Sequence, residues 1–109
     1  MKITGSFEVK LHPLDPYTQG NDGIKIGRMS IDKTFIGELS ALSTGEMLSA
    51  ATLTKGSAGY VALEQVTGNL SGKKGGFVLH HYGFMNRTGT SLLVEVVPDS
   101  GTGEIEGIS

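Results

Sequence analysis

Two residues of opposite acid–base character, Glu64 and His81, are the first candidates for chemistry in this sequence. They lie on two apolar runs joined by a glycine-rich turn, and the hairpin that these runs predict places both side chains diagonally on one face. A carboxylate that orients an imidazole inside an apolar cavity can do acid–base work near neutral pH, where histidine titrates. The alternative is a buried polar pair that only satisfies its own hydrogen bonds.

Other residues carry weaker signals. Successive strand residues point to opposite faces, so the adjacent His80 and His81 do not easily share one metal ion. Arg28, Glu46 and Glu95 are weaker candidates, and Glu95 interrupts an apolar strand as either an outward-facing residue or a cavity group. Because the sequence has no cysteine and no His-x-x-x-His spacing, we expect no metal site and no cofactor.

The composition narrows the class of protein. The length of 109 residues fits one domain, residues 1–109, and 17 glycines beside only 3 prolines indicate many tight turns. The net charge of −2 provides no concentrated basic face, which argues against nucleic acid and anionic membranes as partners. With no signal-peptide pattern and no apolar run of about 18 residues, a soluble cytoplasmic protein is the expectation.

The rest of the chain is organised around the stretch from Tyr60 to Tyr82, which reads as two strands and a turn. If Lys73 and Lys74 form the centre of the turn, Leu70 pairs with Phe77. One face of the hairpin then carries residues with cavity potential: Tyr60, Glu64, Phe77, Leu79 and His81. Both faces are partly apolar, so one could line an interior while a partner subunit or a loop covers the other. The second face could equally be an ordinary, imperfectly polar surface.

Further strands are predicted at residues 3–11, 24–35, 38–42, 46–55, 90–97 and 104–108. The segment 46–55 also has apolar residues at helical spacing, but its context favours a strand. A turn is predicted at Ser43–Gly45, and His12–Gly23 is predicted to be a loop that either covers a barrel mouth or lies passively on the surface. These elements predict an all-β fold, an antiparallel β-barrel of about seven to eight strands arranged as a meander of hairpins. One closing strand is missing, which implies an open sheet or a truncated sequence.

The order and spacing of several short motifs resemble a bacterial family of domains of unknown function (domain of unknown function 3224). The motifs are Gly5–Lys10, Asp32–Phe35, Tyr60–Gly68, Gly75–Leu79 with His81, Val96–Pro98 and Ser100–Glu104. The resemblance implies an antiparallel barrel of the plant allene oxide cyclase type, similar to calycins. Members of the family of unknown function usually continue past the position of Ser109. It carries over no catalytic residue, because the family has no established activity.

Three functions follow as hypotheses. The first is a binding module that holds an apolar or amphipathic small molecule in its interior, with Glu64 and His81 fixing the polar end of the ligand. The second is a cofactor-free isomerase or cyclase, the kind of enzyme that the fold resemblance implies, with Glu64 or His81 as the catalytic group. The third is a structural subunit whose outer apolar face forms a homo-oligomer.

Overall fold

The fold is a single antiparallel sheet. The computed structural model describes residues 5–107, and this part of the chain contains no helix. The strands are β1 (Gly5–Leu14), β2 (Lys25–Gly37), β3 (Leu39–Ala51), β4 (Ala58–Leu70), β5 (Lys73–Asn86), β6 (Gly89–Val96) and β7 (Thr102–Gly103). They pair in the order β1-β2-β3-β4-β5-β6, and β7 pairs with β5 beside β6. The predicted all-β class is therefore confirmed, and the predicted strand 46–55 is confirmed as far as Ala51, where β3 ends.

The buried side chains lie on one face of this sheet, the inner face, which carries Glu64 and Val66. In residues 5–107 no helix or second sheet covers it, yet Val66 is 0 % exposed. Such burial requires the sheet to curl around its own inner face. The core cluster joins side chains from β2 to β6 and from the segment after β7: Leu39, Ala41, Val66, Leu70, Phe77 and Ile105, with Phe35, Leu79 and Val96 packed against it.

The hydrogen-bonded sheet is open, since β1 and β6 each pair with one neighbouring strand over the described residues. The strict alternation of polar and apolar residues in β1 predicts one wet face and one buried face, but both faces of this strand are exposed. The reason is its place at the edge, where the curl brings no other strand over the inner side chains. Within residues 5–107 no helix is long and apolar enough to span a bilayer.

The central hairpin turns two residues earlier than predicted. Leu70 pairs with Lys73, and Ser71 and Gly72 have φ angles of 49° and 89°. Positive φ at both central residues defines a type I′ turn, which matches the twist of the flanking strands. The register therefore differs by four residues from the expected one. Because four is even, every side chain stays on its predicted face.

Three predicted boundaries are wrong. Ser43–Gly45 is not a turn but the middle of β3, which runs unbroken through it. The loop predicted from His12 begins only after Leu14, because β1 is an edge strand, where Pro13 is tolerated. The final strand is Thr102–Gly103 and not 104–108: residues 104–107 form a turn that places Ile105 in the core. Residues 3, 4 and 108, which the predicted first and last strands include, lie outside the described residues.

Candidate functional site

A buried carboxylate lies at the centre of the inner face. Glu64 is 1 % exposed, and its backbone is paired with Gly45 on β3 and Leu79 on β5. A Cβ atom at Gly45 would collide with the backbone of Leu63 and Glu64, so β3 and β4 approach closely only because this position is glycine. The absence of a side chain opposite Glu64 also leaves room for neighbouring strands to reach the carboxylate.

Three strands other than its own supply donors to Glu64. Lys33 Nζ on β2 donates to Oε2 at 2.9 Å, and His81 Nε2 on β5 bonds the same oxygen at 2.6 Å. Ser43 Oγ on β3 donates to Oε1 at 2.8 Å. The Glu64 side chain thereby connects β2, β3, β4 and β5. Its buried charge has the hydrogen-bond donors and the cationic partner that burial of a carboxylate requires.

These donors keep Glu64 ionised. Burial alone would raise the pKa of Glu64. Hydrogen bonds from Lys33 and Ser43, the positive charge of Lys33 and the hydrogen bond from His81 outweigh burial, so the pKa lies below the ordinary value of 4.5. At neutral pH the group is therefore an acceptor only.

His81 extends the network to a hydroxyl. Its Nδ1 lies 3.1 Å from the Tyr60 hydroxyl, and the two rings meet edge to face with centroids 5.6 Å apart. Because ionised Glu64 can only accept, Nε2 of His81 donates to it, and in the neutral ring Nδ1 accepts the phenolic hydrogen. Burial and the charge of Glu64 raise the pKa of Tyr60, so the phenol carries its proton at neutral pH. The result is a hydroxyl–imidazole–carboxylate chain.

The ammonium of Lys33 lies between this chain and two aromatic rings. Its Nζ is 4.8 Å from the ring centroid of Phe7 and 5.5 Å from that of Phe35, both within reach of a cation–π attraction. The side chains of Lys33 and His81 are 13 % and 14 % exposed, whereas that of Glu64 is fully buried. The lysine and histidine therefore form the accessible surface of the polar cluster.

Exposed apolar side chains flank the cluster on the same face. They belong to the two edge strands, β1 on one side and β6 on the other: Phe7, Val9, Leu11, Leu92 and Val94. We call the part of the inner face between these two edges, where Lys33 and His81 lie, the inner trough, and the side chains of β1 and β6 its walls. An apolar body with one polar end matches this pattern of surfaces.

The structure brings together three of the residues that the sequence singled out, Tyr60, Glu64 and His81. Leu79 lies beside them against the core, and Phe77 is 2 % exposed inside the core cluster. Sequence reasoning missed Lys33 and Ser43 as partners of Glu64. Lys33 had a readable signal, since it interrupts the apolar run that Met29, Ile31 and Phe35 form on one strand face. Ser43 had none, because Ser-Thr-Gly is typical of a turn.

The weaker candidates lie on the outer face. Arg28 and Glu46 form an exposed ion pair across β2 and β3. Glu95 is exposed and is paired in register with His80, on the opposite face from His81. Across residues 5–107 no group of three or more histidine or acidic residues could hold a metal ion.

The lowered pKa of Glu64 predicts loss of stability in acid. A carboxyl group whose pKa is depressed by folding contributes stability that is fully present above its unfolded value of about 4.5 and is lost as pH falls through the folded pKa. We expect the unfolding free energy, measured by urea titration from neutral to about pH 3, to fall less steeply for Glu64→Gln than for the wild type. Glu8→Gln, on the exposed β1, should keep the wild-type slope, and identical slopes in all three proteins would contradict the prediction.

A family model and a solved structure are similar to this chain. The family model described as "Protein of unknown function (DUF3224)" matches residues 3–109. A crystal structure of a protein of unknown function from the DUF3224 family of Shewanella oneidensis MR-1 is similar, with a TM-score of 0.91 and 55 % sequence identity. That match covers 97 % of this chain and 81 % of the other. No curated protein matches the chain.

Proposed function

Since the chain belongs to the DUF3224 family, whose function is unknown, we propose a function from the geometry of its site: the inner trough binds an amphipathic small molecule. The ligand is an aliphatic chain that ends in a carboxylate. Its apolar body lies between β1 and β6, and its polar end lies at Lys33, His81 and Tyr60.

One observation carries this proposal, namely a fully buried carboxylate whose two charged or ionisable partners still reach the floor of an exposed apolar trough. Buried ion pairs are seldom needed for stability, since well-packed apolar groups of similar size serve as well. A polar cluster beside exposed apolar side chains is instead typical of a ligand site, where a few polar groups orient a mostly apolar molecule.

The charges select the end group of the ligand. Lys33 uses one N–H donor on Glu64, which leaves two donors for an oxygen acceptor in the trough. A carboxylate there gains a charge-assisted hydrogen bond, whereas an ammonium would be repelled by Lys33. Decanoate is therefore the expected ligand type, decanol a weaker one, and decylammonium the disfavoured one.

Calorimetric titration with these three amphiphiles, each below its micellar concentration, tests the proposal. We expect decanoate to bind at least about 10-fold more tightly than decylammonium, the equivalent of one charge-assisted hydrogen bond. Val94→Glu puts a negative charge on the trough wall and should weaken decanoate binding by about 10-fold or more. Leu93→Glu is the matched control, since it lies next in the chain on the opposite face and should leave the affinity within about twofold.

Two results would contradict this function: no binding of decanoate at millimolar concentration, or equal losses in the two variants. Either would mean that the trough is not the ligand site. Both side chains are exposed, so neither change disturbs the core, and circular dichroism checks that each variant is folded.

The hydroxyl–imidazole–carboxylate chain favours a second candidate, a cofactor-free isomerase or cyclase. In such an enzyme Tyr60 exchanges a proton with the bound molecule while His81 holds or returns it, and Glu64 stabilises the imidazolium. The Glu64→Gln variant separates the two candidates, because a carrier keeps most of its affinity whereas an isomerase loses its turnover.

We further propose that the trough is the interior of a barrel that the described strands leave open. Strands β1 and β6 run antiparallel to each other, because five antiparallel pairings separate them. An all-antiparallel closure therefore needs either direct pairing of these two edges or an even number of added strands, such as one hairpin. Closure of this kind would cover the apolar walls.

A further inference from the structure

The hydrogen bond between Tyr60 and His81 has two possible directions, and the number of protons on His81 decides between them. In the neutral ring, Nε2 donates to Glu64 at 2.6 Å, and Nδ1 accepts the phenolic hydrogen at an N···O distance of 3.1 Å. In the doubly protonated ring both nitrogens are donors, so Nδ1 donates to the phenol oxygen. The same positions of the nitrogen and oxygen atoms serve both states, because only hydrogens are rearranged.

This reversal changes what the half-buried Tyr60 offers to the inner trough. While its hydrogen is used on His81, the phenol presents only oxygen lone pairs to a bound molecule. When Nδ1 carries a proton, the phenol oxygen accepts from the ring, and its own O–H is free to donate. A carboxylate only accepts hydrogen bonds, so it bonds Tyr60 in the second state and not in the first.

Glu64 fixes the other end of the hydrogen-bonded chain. Although burial acts to raise it, the pKa of Glu64 is held below its ordinary value by hydrogen bonds from Lys33, Ser43 and His81 and by the charge of Lys33. The carboxylate therefore stays ionised over the range in which histidine titrates, about pH 5 to 8, and continues to accept from Nε2. Proton exchange in the imidazole is thus confined to Nδ1, the nitrogen that faces Tyr60.

The charges around His81 favour the uptake of a proton together with an anion. Glu64 and Lys33 carry opposite charges that cancel, so protonation of His81 leaves the cluster with one net positive charge. An anion in the trough neutralises that charge and favours the protonated ring. Among the described residues, the groups that face His81 or its carboxylate partner from neighbouring strands are Glu64 and Tyr60 on β4, Lys33 on β2, and the uncharged Ser43 on β3 and Val94 on β6.

We propose that the inner trough binds the carboxylate of its ligand together with one proton from solvent, which His81 takes up, and that Tyr60 then donates to the carboxylate. This inference rests on the proposed function and adds its regulation by pH. Proton and anion binding are reciprocal, so the affinity for an anion rises as the pH falls through the histidine range. Decanol is bound nearly equally in both states, because its hydroxyl either donates or accepts.

Nuclear magnetic resonance of the ligand-free protein tests the reversal itself. The sequence has three tyrosines and three histidines, so labels at tyrosine Cζ and at the histidine nitrogens give few signals, which Tyr60→Phe and His81→Gln assign. We expect the Tyr60 Cζ signal to shift with the same pH midpoint as Nδ1 of His81, and to stop shifting in His81→Gln. Tyr17 is fully exposed and should show no such shift. A Tyr60 signal that stays constant while His81 titrates would overturn the proposal.

Calorimetric titration tests the coupling to the ligand. Decanesulfonate is the probe, since its end group stays ionised and any pH dependence of its binding belongs to the protein. Its affinity should rise about 10-fold or more from about pH 8 to about pH 5.5, whereas that of decanol should change by less than about twofold. Titrations in two buffers of different ionisation enthalpy should show proton uptake with decanesulfonate.

A matched pair of tyrosine variants assigns the donor. Tyr60→Phe should weaken decanesulfonate binding by about 10-fold at about pH 5.5, where the phenol donates, and by less at about pH 8. Tyr82→Phe is the same change on the outer face, beside His80, and should leave the affinity unchanged at both values. Equal losses for Tyr60→Phe at both values, or a decanesulfonate affinity that is independent of pH, would overturn the coupling but leave the ligand site in place. Absence of binding by any of the amphiphiles would overturn the proposed function and the coupling together.

Discussion

Replacing Lys33 with methionine is expected to lower the free energy of unfolding by about 3–5 kcal/mol at neutral pH, as measured by urea denaturation. The change removes the cation that bonds Glu64 Oε2 and leaves a negative charge in the sheet interior with only His81 and Ser43 as partners. Methionine keeps most of the volume, so lost packing contributes little. A loss of this size is a large part of the total stability of a small domain.

Two further variants separate the effect of the unpaired Glu64 charge on stability from other effects of the substitution. Lys33→Met combined with Glu64→Leu removes both charges and should recover most of the lost stability, since an apolar pair replaces a buried ion pair at little cost. Lys10→Met, on the exposed β1, should change the free energy of unfolding by less than about 0.5 kcal/mol. If the single Lys33 variant is as stable as the Lys10 variant, Glu64 is solvated and the polar cluster is not a buried unit.

Phe77→Ala is expected to destabilise the protein by about 3–5 kcal/mol, because Phe77 is 2 % exposed in the core cluster and its loss leaves a cavity. Leu92→Ala is the matched change on the trough wall, where the side chain is 63 % exposed, and should cost less than about 1 kcal/mol. Urea denaturation of both variants measures the difference. Similar losses would mean that the inner face is packed uniformly and has no open end.

The contrast between these two residues explains why a sequence prediction of the pocket was only partly informative. Phe77 and His81 were predicted on the same face because side-chain direction alternates along a strand, and the structure keeps them there. Periodicity does not indicate where along that face the curl of the sheet closes. The core cluster fills one end of the inner face, and its position depends on contacts between β2, β3 and the 104–107 turn, which are distant in sequence.

The partners of Glu64 show the same limit. Its diagonal relation to His81 could be predicted because it depends on one hairpin, and it survived a register error of four residues. Lys33 and Ser43 reach Glu64 from strands 31 and 21 residues earlier in the chain, respectively. The apolar neighbours of Lys33 on its strand face make its position unusual, but nothing local indicates which distant carboxylate it contacts. Ser43 was hidden by turn-like neighbours that the long β3 strand overrides.

The order of strands in the sheet, which equals their order in the chain from β1 to β6, has a consequence for how the protein folds. Each new strand needs only to add to the one just before it, so the loops that close during assembly are short and their entropic penalty is small. A search through distant pairings, as in Greek-key sandwiches, is unnecessary. Among all-β proteins of this size, such a chain belongs with the rapid folders.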